Sequence, residues 1–417
     1  MDTKIEIRTL KISDIKPNPK NPKKHWVEKI SESIREMGYI EPIVTDENNM
    51  ILVGHGRLKA LKDNETKEIE VIIKRGLTEE QKEKYILLSN KLVEAGGWDL
   101  DLLKEFDLNL LIEAGFNDID LKNIWDDVLE IEDDDFNEQQ ELEKIKTTDI
   151  KIGDMFQLGN HKLLCMDSVV PENIKKLMGQ EKTSFIYCDP PYNISLDYDK
   201  GIGGKSRYGG KTNDHKTNAE YKNFLRKTIS NALDVGSDDL HIFYYCDQKY
   251  VGLIQELYTS LGIKNQRICL WIKNGFNVTP QIAFNKCYEP CIYGTIGKPH
   301  LSPINNLNEI LNREIGTGNR AIDDILDILD IWLAKRLPGQ DYEHATSKPP
   351  TLHEKALRRC TKINDIVLDL FGGSGSTLIA CDQLKRRAYL MEYEPIFCQL
   401  IINRFEKITG IKAKLIK

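Results

Sequence analysis

Cysteine is missing from the first 164 residues of this 417-residue chain. The nine cysteines that follow, Cys165 to Cys398, form no C-x-x-C pair. Zinc-ribbon and thioredoxin-like motifs therefore lack their ligand spacing, and no metal is expected. Most of these cysteines sit inside apolar runs, which reads as buried free thiols. No apolar run is long enough to cross a bilayer, and the first residues are charged, unlike a signal peptide. A cytoplasmic protein with no membrane partner is the expectation. No internal repeat is present. No G-K-[ST] accompanies the glycine-rich stretch near the C-terminus, which argues against a nucleoside triphosphate P-loop.

Lys and Arg are absent from 126–143, which carries ten acidic side chains. Those ten exceed the whole net charge of −7, so the rest of the chain is net +3. An acidic total therefore does not exclude a basic groove for nucleic acid. Residues 98–148 read as a helical and acidic linker, the acidic part a solvated segment or frayed helix.

On either side of that stretch the pattern differs. Over 1–97, Ile5, Ile7 and Leu10 predict a strand, and Val27, Ile30, Ile34 and Met37 recur at helical spacing before Gly38. Pro42-Ile43-Val44 and Met50-Ile51-Leu52-Val53 predict a hairpin around Glu47-Asn48-Asn49. A helix opens at Gly54-His55-Gly56-Arg57, and a strand runs from Glu68 to Ile73. Together these form a small α/β domain. From about 149 strand-like runs alternate with helical patterns: Ser184–Cys188, His241–Tyr245, Ile268–Ile272, Cys291–Tyr293, Ile366–Leu370 and Ala388–Met391. That alternation predicts a mainly parallel sheet covered on both faces, with ligands at the carboxyl ends of its strands.

Two motifs follow such strands, 180 residues apart. Asp189-Pro190-Pro191-Tyr192 ends the first. An exocyclic base amine is a poor nucleophile because its lone pair is delocalised into the ring. The Asp189 carboxylate and the Pro190 carbonyl can accept its N–H groups, favouring a more pyramidal nitrogen and positioning it. The two prolines stiffen the loop, and Tyr192 offers a flat face to a base lifted out of a duplex. The second motif is Asp369-Leu370-Phe371-Gly372-Gly373-Ser374-Gly375, ahead of a helix from about Ser376 to Leu384. Its glycines allow close approach of a ligand to backbone. Glu392 ends the next strand, 20 residues beyond Gly372, where an acidic side chain can accept from ribose hydroxyls.

In this order the motifs resemble those of a DNA amino-methyltransferase of the β class, over about 149–417. The resemblance implies a Rossmann-like, S-adenosylmethionine-dependent methyltransferase fold with a mixed, mainly parallel sheet. By the same resemblance Asp189, Pro190, Pro191 and Tyr192 are catalytic. The cofactor would be held by Asp369, Phe371, Gly372, Gly373, Ser374, Gly375 and Glu392. His344-Ala345-Thr346-Ser347-Lys348-Pro349 resembles the segment that puts Lys348 on the methionine end of S-adenosylmethionine. Cys165-Met166-Asp167-Ser168 resembles the family's Gly-Asp turn and adds Asp167 as a cofactor contact. Trp271-Ile272-Lys273 and Tyr288-Glu289 resemble strand signatures and read best as sheet core and edge. Residues 196–218, with Arg207, Tyr208 and His215, fit a loop that meets DNA, and about 295–340 fits a recognition region with Lys298, His300, Arg313, Arg320, Lys335 and Arg336. The Asp of the first motif favours adenine N6, since many cytosine-N4 enzymes carry Ser there.

The first domain resembles a ParB-like module through Gly38-Tyr39-Ile40-Glu41-Pro42-Ile43 and Gly54-His55-Gly56-Arg57. The better-known ParB box reads Gly-Glu-Arg-Arg, so His55 and Gly56 are departures. The helix start and Arg57 are candidates for a nucleotide or phosphate. Such modules joined to methylases are a phage and mobile-element arrangement. The expected function is site-specific adenine-N6 methylation of DNA, within or outside a restriction–modification pair, by a chain that family precedent allows to be a homodimer. Cytosine-N4 methylation, methylation of RNA or a protein glutamine, and a ParB-like DNA-binding adaptor on an inactive methylase scaffold are the alternatives.

Overall fold

The structure is a computed structural model that describes residues 6–95, 98–125, 129, 131–194, 214–272, 288–302, 331–333 and 348–416. Most of the expected recognition region, most of the 196–218 loop, Lys273 and His344–Ser347 lie outside the described residues. The chain divides into two units, Met1–Phe116 with Asn123–Trp125, and Asn117–Lys122 with Asp126–Lys417. The stretch read as a linker, 98–148, is thus shared between them.

In the first unit, β1 (Glu6–Lys11), β2 (Ile43–Asp46), β3 (Ile51–Val53) and β4 (Glu68–Lys74) form a sheet of order β1-β4-β2-β3. β4 shows the period of two expected of a half-buried strand. Ile69, Val71 and Ile73 are buried, whereas Glu68, Glu70 and Lys74 are exposed. The first set packs with Ile43, Ile51, Leu58 and Leu61. The helix Val27–Met37 stops at Gly38, whose φ of +84° suits glycine.

The Gly54-His55-Gly56-Arg57 turn is tied into its own surroundings. His55 is buried and accepts the Asn18 N–H at 3.1 Å. Burial, with His25 nearby, lowers its pKa to about 4, so it is neutral at pH 7. A Cβ on Gly56 would lie 2.9 Å from the His25 Cβ. The Arg57 guanidinium pairs with the Glu41 carboxylate and donates to the Pro42 carbonyl at 3.2 Å.

The second unit is built on a sheet of ten described strands. They are β5 (Met155–Leu158), β6 (His161–Cys165), β7 (Thr183–Cys188), β8 (Gly236–Tyr245), β9 (Lys264–Ile272), β10 (Tyr288–Ile296), β11 (Ile331–Leu333), β12 (Ile366–Asp369), β13 (Arg387–Glu392) and β14 (Lys414–Ile416). Their order is β11-β9-β10-β8-β7-β12-β13-β6-β5-β14. The five central strands, β8-β7-β12-β13-β6, are mutually parallel. β10 and β5 run antiparallel to their neighbours on either side. This is the mixed, mainly parallel sheet of the expected fold class.

The central strands are largely apolar where both faces are covered, as over 185–188 of β7 and 240–245 of β8, whereas Asp238 and Asp239 near the start of β8 are exposed. Ile186 and Cys188 of β7 join the core under helices Pro171–Met178, Asn218–Asp234 and Val251–Ser260. The alternate residues Phe185 and Tyr187 enter an aromatic row on the other face, where Phe243 stacks on Tyr293 at 4.5 Å. All eight described cysteines are buried thiols.

The acidic stretch departs from its expected solvated state. Phe136 and Leu142 are buried against Leu400. Asp134 holds the buried Arg404 guanidinium through two hydrogen bonds of 2.7 and 2.6 Å, and Arg404 lies 4.0 Å from the Phe136 ring centroid. Asp133 accepts the Thr351 N–H and hydroxyl, both at 3.0 Å, where the helix Thr351–Cys360 begins. Counting charges hid the apolar residues between them, which dock the segment while each aspartate meets a fixed donor.

Arg404 is 2% exposed, so removing its partner strands a buried charge. Asp134→Ala should therefore lower the stability of this unit by about 3 kcal/mol. Urea unfolding of the full chain measures it, and a loss below about 0.5 kcal/mol, the range of an ordinary surface change, would contradict the clamp.

Candidate active site

Because β6, β13, β12 and β7 are adjacent and parallel, their carboxyl ends share one edge of the sheet. Asp189 follows β7, Asp369 ends β12, Glu392 ends β13, and Asp167 lies two residues beyond β6. Turns stitch that edge together. Gly372 donates its N–H to the Met391 carbonyl at 2.9 Å, and Met166 donates to the Glu392 carbonyl at 3.0 Å.

At the first motif, Pro190 is buried and Asp189, Pro191 and Tyr192 are half-buried. The Tyr192 hydroxyl lies 2.7 Å from Asp189 Oδ1 and 3.0 Å from Glu289 Oε2. Burial, with Asp189 and Glu289 close by, holds the Tyr192 pKa well above the usual phenol range. It therefore stays a donor. The Lys348 ammonium pairs with Asp189 Oδ2 and stands 3.3 Å from Glu289 Oε2. It lies 4.5 Å from the Tyr245 ring centroid and 5.7 Å from that of Trp271. Burial disfavours its charge, but Asp189 and Glu289 outweigh burial and raise the Lys348 pKa. Lys348 thus meets the Asp-Pro-Pro-Tyr motif, whereas the resemblance pointed it toward the cofactor.

The loop after the motif is fixed by Asn193, which takes a φ of +55°. Its N–H and that of Ile194 donate to the Asp214 carboxylate at 2.8 and 3.0 Å, and its side chain bonds Lys216 on both polar atoms. The Pro191 carbonyl accepts from the Tyr221 hydroxyl at 2.8 Å.

The glycine loop sits beside this pocket. Gly373 and Gly375 have φ values of +50° and +81°. A Cβ on Gly372 would be 2.9 Å from Ile401 Cδ1, whereas one on Gly373 would meet, among the described residues, only the Phe371 carbonyl at 3.8 Å. Gly372 thus packs on a helix, and Gly373 is the less crowded of the two. Gly373 donates its N–H to Glu392 Oε2, and Glu394 donates to Glu392 Oε1, both at 2.9 Å. Burial raises the Glu392 pKa to about 7, with Glu394 adding to it. The Ser374 carbonyl accepts from Arg404 at 2.9 Å. Phe371 is half-buried, its ring centroid 5.9 Å from that of Phe224. Asp167 caps its own turn through the Val169 N–H at 3.0 Å.

The DNA methylase family profile matches residues 183–403, more than half of the chain. The chain belongs to the DNA methylase family. A ParB N-terminal domain matches residues 2–91. Over 87 residues the chain is 32% identical to the ParB-like nuclease domain-containing protein YnaK of Escherichia coli (strain K12), covering 20% of this chain and 100% of YnaK. Over 288 residues it is 24% identical to the Type II methyltransferase M.BamHI of Bacillus amyloliquefaciens, covering 65% of this chain and 61% of that enzyme. It therefore spans about three fifths of the length of M.BamHI. Among solved structures, the M1.HpyAVI-SAM complex is 19% identical with a TM-score of 0.40, over 58% of this chain and 98% of that one. Among the described residues, no helix is long and apolar enough to cross a membrane.

S-adenosylmethionine is the cofactor that membership of the DNA methylase family implies, and the donor set fits it. Among the described residues the backbone at Gly373 is uncrowded enough for close approach of a ligand, and the Glu392 and Asp167 carboxylates can accept from hydroxyl and ammonium groups.

Glu289, read from its strand signature as a sheet edge, shares both donors of Asp189. Three further residues of this site escape motif reading. Asn193 merely extends the motif by one residue. Arg404 reaches the glycine loop from a distant helix. His353 is buried, with Nδ1 3.1 Å from the Tyr187 hydroxyl and Nε2 2.9 Å from Ser376 Oγ.

Asp369 supplies a pH test. It is buried and accepts the Phe371 N–H at 3.0 Å, and burial raises its pKa to about 8. The folded chain therefore keeps a proton that the unfolded chain releases near pH 4. Its contribution to stability is full below about pH 4 and is lost as pH rises to about 8. Asp369→Asn should flatten that decline in urea titrations across the window. An unchanged slope would contradict the assignment.

Proposed function

We propose that this DNA methylase transfers the methyl group of S-adenosylmethionine to the N6 amine of adenine in DNA. The observation that carries the reading is the shared edge at which Asp189 and Tyr192 stand beside the glycine loop and Glu392. The Asp189 carboxylate and Pro190 carbonyl accept from the target amine and aim its nitrogen. Tyr192 packs its ring on the flipped base. Pro191 keeps the loop stiff. Glu392 accepts from ribose hydroxyls, and Gly372, Gly373, Ser374 and Gly375 follow the cofactor closely with backbone. Phe371 packs against it, Asp369 holds the loop's entry through the Phe371 N–H, and Asp167 completes the acidic side. When bound, the cofactor supplies an electrophilic methyl on a sulfonium, so no metal is required. The Asp of the motif supports adenine over cytosine. The ParB-like unit supports DNA as its partner too.

Methyl transfer from labelled S-adenosylmethionine to mixed-sequence duplex DNA, followed by nucleoside mass spectrometry, tests this. N6-methyladenine is the expected product, and N4-methylcytosine would overturn the choice of base. Asp189→Ala should lower transfer by about a hundredfold to a thousandfold, the scale for losing one preorganised polar group. Near-normal turnover in that variant would overturn the mechanism.

A further inference from the structure

Glu289 lies near the start of β10 and is 8% exposed. The methyl-transfer chemistry leaves it without a role, yet it reaches the same two groups as Asp189. Its Oε2 is 3.0 Å from the Tyr192 hydroxyl and 3.3 Å from Lys348 Nζ. Asp189 meets Tyr192 through Oδ1 and Lys348 through Oδ2. A tyrosine hydroxyl has one proton, so Tyr192 donates to one carboxylate at a time. While it donates to Asp189, both oxygens of that carboxylate already carry a donor.

We propose that Glu289 and Lys348 are positioning residues for Asp189. Glu289 is the alternative acceptor to which Tyr192 turns its proton, which frees Asp189 Oδ1 for the target amine. Lys348 lies between the two carboxylates and pairs with both. The inference rests on Asp189 as the residue that holds the amine.

Charge bookkeeping around Asp189 makes the idea testable. Burial holds Tyr187, Cys188, Tyr221, Tyr245 and Cys291 protonated at neutral pH, and Asp369 titrates only at about 8. Tyr192 is protonated for the same reason. Among the described residues around it, Glu289 and Lys348 therefore dominate the charge that Asp189 feels. They act with opposite sign. Removing the glutamate charge relieves repulsion of the Asp189 anion, whereas removing the ammonium deprives that anion of its partner.

The experiment is the pH profile of kcat for methyl transfer to mixed-sequence duplex DNA. Wild type, Glu289→Gln and Lys348→Met are compared, with S-adenosylhomocysteine affinity measured by calorimetry to show that each variant is folded. The acid limb should move to lower pH in Glu289→Gln and to higher pH in Lys348→Met, each by about half a unit or more. Glu289→Gln should also lower kcat by about tenfold, the scale of one lost charged hydrogen-bond acceptor, and by less in a Tyr192→Phe background. A folded Glu289→Gln enzyme with an unmoved limb and unchanged kcat would overturn the proposal, whatever Lys348→Met does. Limbs that move the same way in both variants would overturn it too. Absence of transfer in the wild type would instead sink the methylase reading, and this inference with it.

Discussion

The parallel register of β6, β13, β12 and β7 is the constraint on which the rest of the site depends. Strands that run side by side in one direction end at one edge, whatever their separation in sequence. Asp189 and the glycine loop are far apart along the chain but adjacent in the sheet, because β7 pairs directly with β12. Glu392 is brought in by β13, and the Asp167 turn by β6. That alignment brings both motifs to one place without any further device. The order of the two halves along the chain is then free to vary.

What refines the edge is a set of buried charges that only partners make tolerable. Lys348 is 6% exposed between two carboxylates and is faced by the rings of Tyr245 and Trp271. Arg404 is held by Asp134 and in turn holds the Ser374 carbonyl of the glycine loop. Glu392 and Asp369 are pushed upward by burial, so the glycine-loop side of the edge carries less negative charge at neutral pH than its composition implies. These groups fix loop positions that glycine and proline leave possible but do not choose.

The parts legible in the sequence are those where chemistry and local backbone coincide. Asp189-Pro190-Pro191-Tyr192 announces itself because prolines, an acid and an aromatic are contiguous. The glycine loop does so because strand, glycines and helix follow in turn. The hairpin and helices of the first unit are equally plain, since each rests on periodicity and turn residues. Glu289 was not legible, because a glutamate in a strand reads as an edge position until its partners are known. Lys348 reads by resemblance as a cofactor contact, and its pairing with Asp189 and Glu289 is not visible in chain order. Asp134 was lost within a run of like charges, although Phe136 and Leu142 beside it are what dock that run. β5 and the edge strand β14 were not foreseen, because each is short and carries no turn residues or motif to mark it.

Calorimetric titration of S-adenosylhomocysteine into wild type, Glu392→Ala and Asp189→Ala tests the shared strand edge. If one strand edge divides the work between a cofactor side and an amine side, Asp189→Ala should bind as wild type does. Glu392→Ala should bind at least about tenfold more weakly, the scale for losing a charged hydrogen-bond acceptor. Equal affinity in Glu392→Ala, or a loss confined to Asp189→Ala, would contradict that division.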